Sequence, residues 1–143
     1  TVWYNLSHSG DYIVAAFSHL EVGIDIEQKR KARMEVARRF FHPAEIQCLQ
    51  NLAGDAQDEL FFRYWSVKES FLKYTGEGLS ASLSAFRVKF EQAIVLLGQG
   101  MEKREVKISE CKIDPSYVSY ICSGNREIPV LRKVALAELQ YRL

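Results

Sequence analysis

At 143 residues, with 48% hydrophobic and 26% charged residues, the chain suits one globular domain burying roughly two thirds of its unfolded surface, which excludes wholesale disorder. A formal net charge of +1 gives no argument for nucleic acid as the main partner, although local patches can still matter, and none is expected. Its 3 cysteines, Cys48, Cys111 and Cys122, form no CxxC pair, and the longest aliphatic run, 93–97, is far below the ~20 residues that span a bilayer; a reduced, cytoplasmic protein without a membrane partner is expected.

In chain order, residues 2–5 are short and extended, and 7–11 (Ser-His-Ser-Gly-Asp) read as a polar turn exposing backbone N–H groups. Such a turn can hold a phosphate, with His8 adding a donor, or can be a plain connection in which Ser and Asp bond their own backbone. Residues 12–17 are rich in β-branched and aromatic side chains, and after a turn at 18–21 a second strand follows at 22–27. These two strands are expected to form a hairpin. Alternation in the second puts Val22, Ile24 and Ile26 on one face and Gly23, Asp25 and Glu27 on the other. Two neighbouring carboxylates repel unless a cation lies between them, and Gly23 leaves room for a ligand or another backbone. A solvated outer face is the plain alternative.

Residues 29–39 concentrate Lys29, Arg30, Lys31, Arg33, Arg38 and Arg39 against one acid, Glu35. With Met34, Val36, Phe40 and Phe41 beside them, they read as a protein-docking surface or as a solvated helix. Pro43 opens a helix expected to reach Leu52. The next helix centres on 61–80, with Asp55 as its expected N-cap and Gly76 and Gly78 as its stop. Leu60, Tyr64, Val67 and Phe71 recur at the spacing of one buried face. Trp65, Glu69 and Lys73 stand at i, i+4 and i+8 on a neighbouring face, with Lys68 alongside. That cluster reads as an active-site wall or as an ordinary helix ion pair worth ~0.2–0.5 kcal/mol. Strands are then expected at 86–90, 93–97, 106–113, 117–122 and 130–136, with a turn at Asp114-Pro115-Ser116. The order of elements indicates an α+β domain, an antiparallel sheet with helices packed on it.

Three separated segments now line up: Asn5-Leu6-Ser7-His8-Ser9-Gly10, Gly23-Ile24-Asp25-Ile26-Glu27, and Trp65-Ser66-Val67-Lys68-Glu69-Ser70 with Lys73. Each is loose alone; together, in this order and spacing, the chain resembles the 4'-phosphopantetheinyl transferases of the surfactin-type two-lobed group. The resemblance implies transfer of the phosphopantetheine arm of coenzyme A to a serine of an acyl or peptidyl carrier protein, releasing 3',5'-ADP. It implies Mg²⁺ held by Asp25, Glu27 and Glu69, an all-oxygen set that suits a hard cation. It gives Glu69 the further role of proton acceptor, and gives Lys73 and Lys68 charge stabilisation and coenzyme contacts. Ser7 and His8 match the segment that grips the 3'-phosphate, and Trp65 is assigned to packing. The basic region 29–41 corresponds to where relatives meet the carrier.

Two-lobed relatives carry a similar lobe before the SHSG segment. The expectation is therefore a single lobe over 1–143, with 1–21 as a linking hairpin and 22–143 as the metal-site lobe, belonging to a longer pseudodimeric enzyme and prone to self-association if isolated. Two further readings stay open, a non-catalytic module that binds a carrier protein and an unrelated Mg²⁺-dependent phosphohydrolase.

Overall fold

The structure is a computed structural model that describes residues 1–76, 83–97, 104–124, 128–135 and 137–138. Strands β1 (Trp3–Ser9) and β2 (Tyr12–Ser18) form a two-stranded antiparallel sheet. Strand β3 (Val22–Gln28) follows, then helices α1 (Met34–Phe40), α2 (Pro43–Gln50) and α3 (Gly54–Thr75). Four more strands follow among the described residues, β4 (Arg87–Lys89), β5 (Ile94–Leu97), β6 (Arg104–Glu110) and β7 (Tyr117–Ser123). The second sheet runs β3-β7-β6-β5-β4, every neighbouring pair antiparallel. The α+β architecture is as the sequence implied.

Helix α3 lies on β3 and β7. Its Tyr64, Val67 and Phe71 are buried with Phe61 and Leu72, against Val118, Tyr120 and Cys122 of β7 and against Phe86, Val88 and Val95. Each large apolar side chain fully buried in this way contributes about 1.5–3 kcal/mol. Phe41, 1% exposed, joins the helices, stacking on Phe61 at 5.4 Å and meeting Trp65 at 6.3 Å. Gly76, at φ 72°, ends α3 in the left-handed conformation that favours glycine; Gly78, also expected at this stop, lies outside the described residues.

Several expectations are corrected. Asp55 is in the first turn of α3 rather than at its N-cap, which is Ala53, so the carboxylate acts on the helix dipole and not as a capping acceptor. Helix α2 ends at Gln50, where Gln57 Nε2 donates to the carbonyls of Leu49 and Leu52. Residues 130–135 form no strand and are exposed; residue 136 of that expected strand lies outside the described residues. The expected pairing of 12–17 with 22–27 is also overturned. Strand β2 pairs with β1 through a two-residue turn at Gly10-Asp11, Gly10 having φ 53°. Positive φ at the first central position matches the twist of a tight hairpin, whereas the longer connection at 19–21 carries the chain into the other sheet.

Candidate active site

The acidic face of β3 is not solvated. It turns toward α3, and the space left by Gly23 is filled by helix backbone: a Cβ there would strike the Ser70 carbonyl oxygen and lie 2.5 Å from the Tyr74 nitrogen. The aliphatic face, Val22 and Ile24, is covered by Ala16 and Val14 of the hairpin. Asp25 is thus 4% exposed, with Glu27 half-buried two residues along. Its own carbonyl is pinned by Ser119 Oγ at 2.7 Å and Ser66 Oγ at 3.4 Å.

Lys73, one turn beyond Glu69, draws three elements together. Its ammonium donates to Ile24 O of β3 at 3.0 Å and Leu6 O of β1 at 3.4 Å, and lies 3.5 Å from Asp25 Oδ1. Ser7 Oγ donates to the same Oδ1 at 3.4 Å. Oδ2 is the one buried side-chain oxygen or nitrogen without a hydrogen-bond partner among the described residues. Burial, followed by the charge of Glu27, pushes the Asp25 carboxyl up to about 9, although Lys73 pulls it down. Burial also raises Glu27 and Glu69, the first held back by Asp25 and Trp65 and the second by Lys73. Three acids whose charged forms are all disfavoured by their surroundings make a site that gains from a cation.

The expected constellation is reproduced in part. Asp25, Glu27, Glu69 and Lys73 come together electrostatically, yet the described residues contain no group of three or more His, Cys, Asp or Glu side chains gathered tightly enough to hold a metal by themselves. Lys68 does not join them. It is fully buried, with its ammonium 2.8 Å from Glu45 Oε1 and donating to the carbonyls of Leu83 at 2.8 Å and Phe86 at 3.1 Å. Its three protons are taken, because one residue of helix rotation turns it into the core. The Ser7–Asp11 turn is corrected as well: Ser7, His8 and Ser9 belong to strand β1, so Ser7 points inward and is buried while His8 points outward and is exposed.

Other residues escaped the sequence reading. Asn5 and Ser9 bond β3 alongside Ser7, and their signal was the period-two recurrence of small polar side chains in 5–9. Glu45, 1% exposed, holds Lys68 and accepts from His42 N–H and Val88 N–H. The signal here was the capping box, Glu at the third helical position after His42. Trp65 packs on Phe40 and Phe41 and is also beside Glu27, linking the basic helix α1 to the acidic strand.

The basic surface is exposed at Arg30, Lys31, Arg33, Arg38 and Arg39, while Lys29 pairs with Glu59 at 3.4 Å. Only 34–40 of this stretch is helical; Ala32 N–H is tied to Asp58 Oδ1 of α3 at 2.7 Å.

Comparison with known proteins agrees with this arrangement. Residues 21–122 match the family model described as the 4'-phosphopantetheinyl transferase superfamily. The chain is 35% identical over 131 residues to the 4'-phosphopantetheinyl transferase Sfp of Bacillus subtilis (strain 168), covering 88% of this chain and 57% of that protein. It is 43% identical over 133 residues to another Bacillus subtilis 4'-phosphopantetheinyl transferase, covering 85% and 58%. The chain therefore spans somewhat over half the length of these curated relatives. Among solved structures, a Bacillus anthracis holo-(acyl-carrier-protein) synthase in complex with CoA (3',5'-ADP) superposes with a TM-score of 0.56 at 16% identity, covering 73% of this chain and 94% of that one, a likeness of fold. With the family model spanning most of the chain, from the acidic strand through α3 to β7, the protein belongs to the 4'-phosphopantetheinyl transferase superfamily.

Proposed function

We propose that this chain carries the acidic half of an enzyme that transfers the 4'-phosphopantetheine arm of coenzyme A to a serine of an acyl or peptidyl carrier protein, with release of 3',5'-ADP. The observation that supports it most is Asp25, buried, with Oδ1 engaged by Ser7 and Lys73 and Oδ2 unbonded beside Glu27. Mg²⁺ fits this donor set, since it takes one or two carboxylates and completes its octahedron with substrate phosphates and water. Asp25 and Glu27 would hold it, with Glu69 approaching from α3. When bound, it supplies neutralisation of the pyrophosphate and of the charge on the departing phosphate.

The protein groups have separate tasks. Glu69, its carboxyl raised by burial, would take the proton of the carrier serine as that oxygen attacks phosphorus. The bond from phosphorus to the oxygen of the departing 3',5'-ADP breaks in the same displacement. Lys73 supports the departing charge from a position fixed by two backbone carbonyls. His8, exposed at the end of β1, is available to the 3'-phosphate. The arginines of α1 steer an acidic carrier toward the site.

Relatives of which this chain covers 57% and 58% supply room for a second lobe. The outer face of the β1–β2 hairpin fits such a lobe, with Tyr4, Leu6, Ile13 and Phe17 exposed by 68%, 55%, 78% and 72%. A pseudodimer in which that lobe covers the hairpin, working in the cytoplasm, is the assembly we propose. Mass spectrometry of a carrier protein incubated with the enzyme, coenzyme A and Mg²⁺ tests the function. A gain equal to one phosphopantetheine arm is expected; an unmodified carrier that still binds would leave a docking module, and hydrolysed coenzyme A with an unmodified carrier a phosphohydrolase.

A further inference from the structure

Strand β3 pairs with β7 on one edge, and among the described residues no strand of its sheet pairs with the other. An unpaired edge leaves a row of backbone N–H groups, and where it is buried each must find an acceptor. On β3 the acceptors are side chains. Ile24 N–H donates to Asn5 Oδ1 at 2.8 Å, Ile26 N–H to Ser7 Oγ at 3.2 Å and Gln28 N–H to Ser9 Oγ at 2.9 Å. Both series advance by two residues, so one face of β1 substitutes for the backbone of a neighbouring strand.

From this geometry we infer that Asn5, Ser7 and Ser9 form a side-chain ladder that fixes the acidic strand, and that Ser7 within it is a positioning residue for Asp25 rather than a grip for phosphate. A hydroxyl has one proton to give. Ser7 accepts from Ile26 and donates to Asp25 Oδ1, the oxygen that Lys73 also approaches. The two oxygens of Asp25 thereby divide their roles: Oδ1 is tethered, and Oδ2 is presented. Buried to 8% exposure, Ser7 has no proton left for a ligand.

The ladder stands on the fold alone, whereas its consequence for transfer rests on the function proposed above. Amide hydrogen exchange tests the first. Asn5→Ala, Ser7→Ala and Ser9→Ala are expected to speed exchange at Ile24, Ile26 and Gln28 respectively, each by about ten-fold or more and each at its own rung. Unchanged exchange at these amides overturns the ladder. Steady-state kinetics test the second, comparing coenzyme A with dephospho-coenzyme A, which lacks the 3'-phosphate. Ser7→Ala is expected to lower kcat about ten-fold, to leave KM for coenzyme A and the preference between the two coenzymes unchanged, and to be rescued by Ser7→Thr, which keeps the hydroxyl. Loss of that preference in Ser7→Ala would make Ser7 a phosphate grip and overturn the assignment. Absence of transfer by the unaltered enzyme would instead refute the proposed function, with the exchange result still deciding the ladder. Should Ser7→Ala fail to fold, exchange in Asn5→Ala and Ser9→Ala decides the ladder, and the same comparison of coenzyme A with dephospho-coenzyme A in Ser7→Cys, whose thiol is a weak donor, decides the role of Ser7: a lower kcat with the preference kept supports positioning, and a lost preference overturns it.

Discussion

Glu45→Gln is expected to destabilise the fold far more than a one-atom change on a helix ordinarily does. Glu45 is 1% exposed, and its Oε1 lies 2.8 Å from the ammonium of Lys68, which is itself fully buried. Removing the negative partner leaves a buried cation with no counter-charge, held by the carbonyls of Leu83 and Phe86 and by the ring faces of Phe86 and Phe41. Breaking one side of such a pair costs about 3–5 kcal/mol, which for a chain of this size lowers Tm by roughly 10–15 °C. The pH dependence has a definite sign. Burial already depresses the Lys68 ammonium, and Glu45 holds it up. Without Glu45 the folded state binds that proton still less than the unfolded state does, so stability rises with pH as the folded Lys68 deprotonates. The deficit relative to the unaltered protein therefore shrinks toward alkaline pH. Denaturant unfolding across a pH series measures this directly. A variant within about 1 kcal/mol of the original at neutral pH, or a deficit that grows with pH, would refute the buried, charge-compensated pair.

Gly23→Ala should push α3 from β3, since its new methyl meets backbone atoms of Ser70 and Tyr74; a loss of about 1–3 kcal/mol in thermal or denaturant unfolding is expected, together with reduced activity as Glu69 and Lys73 move from Asp25. Because Asp25 is raised to about 9, its contribution to stability is greatest at acid pH and declines from about pH 4 through its folded value; unfolding measured without divalent cations should show this decline, and added Mg²⁺ should flatten it. Charge reversal of Arg33, Arg38 and Arg39 to Glu should slow carrier association much more than it changes coenzyme A affinity, and raised salt should mimic it in stopped-flow measurements.

The parts of the fold with a strong local period were legible in the sequence. Tyr64, Val67 and Phe71 announced the buried face of α3, and Asp25 with Glu27 announced a single acidic face on β3, as observed. What period cannot decide is which neighbour covers each face. The acidic face of β3 turned inward because Gly23 lets the backbone of α3 approach; the missing Cβ signalled room for a ligand or another backbone, but not which of the two fills it. Lys68 and Glu69 differ by one helical step, so spacing alone did not reveal that the first enters the core and the second stays half-exposed. Its partner Glu45 lies on another helix, 23 positions away by the numbering. The polar 7–11 stretch had the composition of a turn, yet alternation rather than composition governs it: Ser7 and Ser9 face β3, and His8 faces out. Residues 130–135 had the aliphatic content of a strand but find no neighbour to pair with among the described residues.

The most direct test of the account compares Glu69→Gln with the unaltered enzyme, following the mass of the carrier protein and the release of 3',5'-ADP at saturating Mg²⁺ while unfolding is recorded for both. Glu69 is half-buried on a helix held by its other faces, so the account predicts an unmodified carrier, no 3',5'-ADP, and an unfolding transition close to that of the original. Near-normal transfer by Glu69→Gln would contradict it and leave Glu69 a helix carboxylate with no part in the chemistry; so would loss of transfer that came only from loss of the fold.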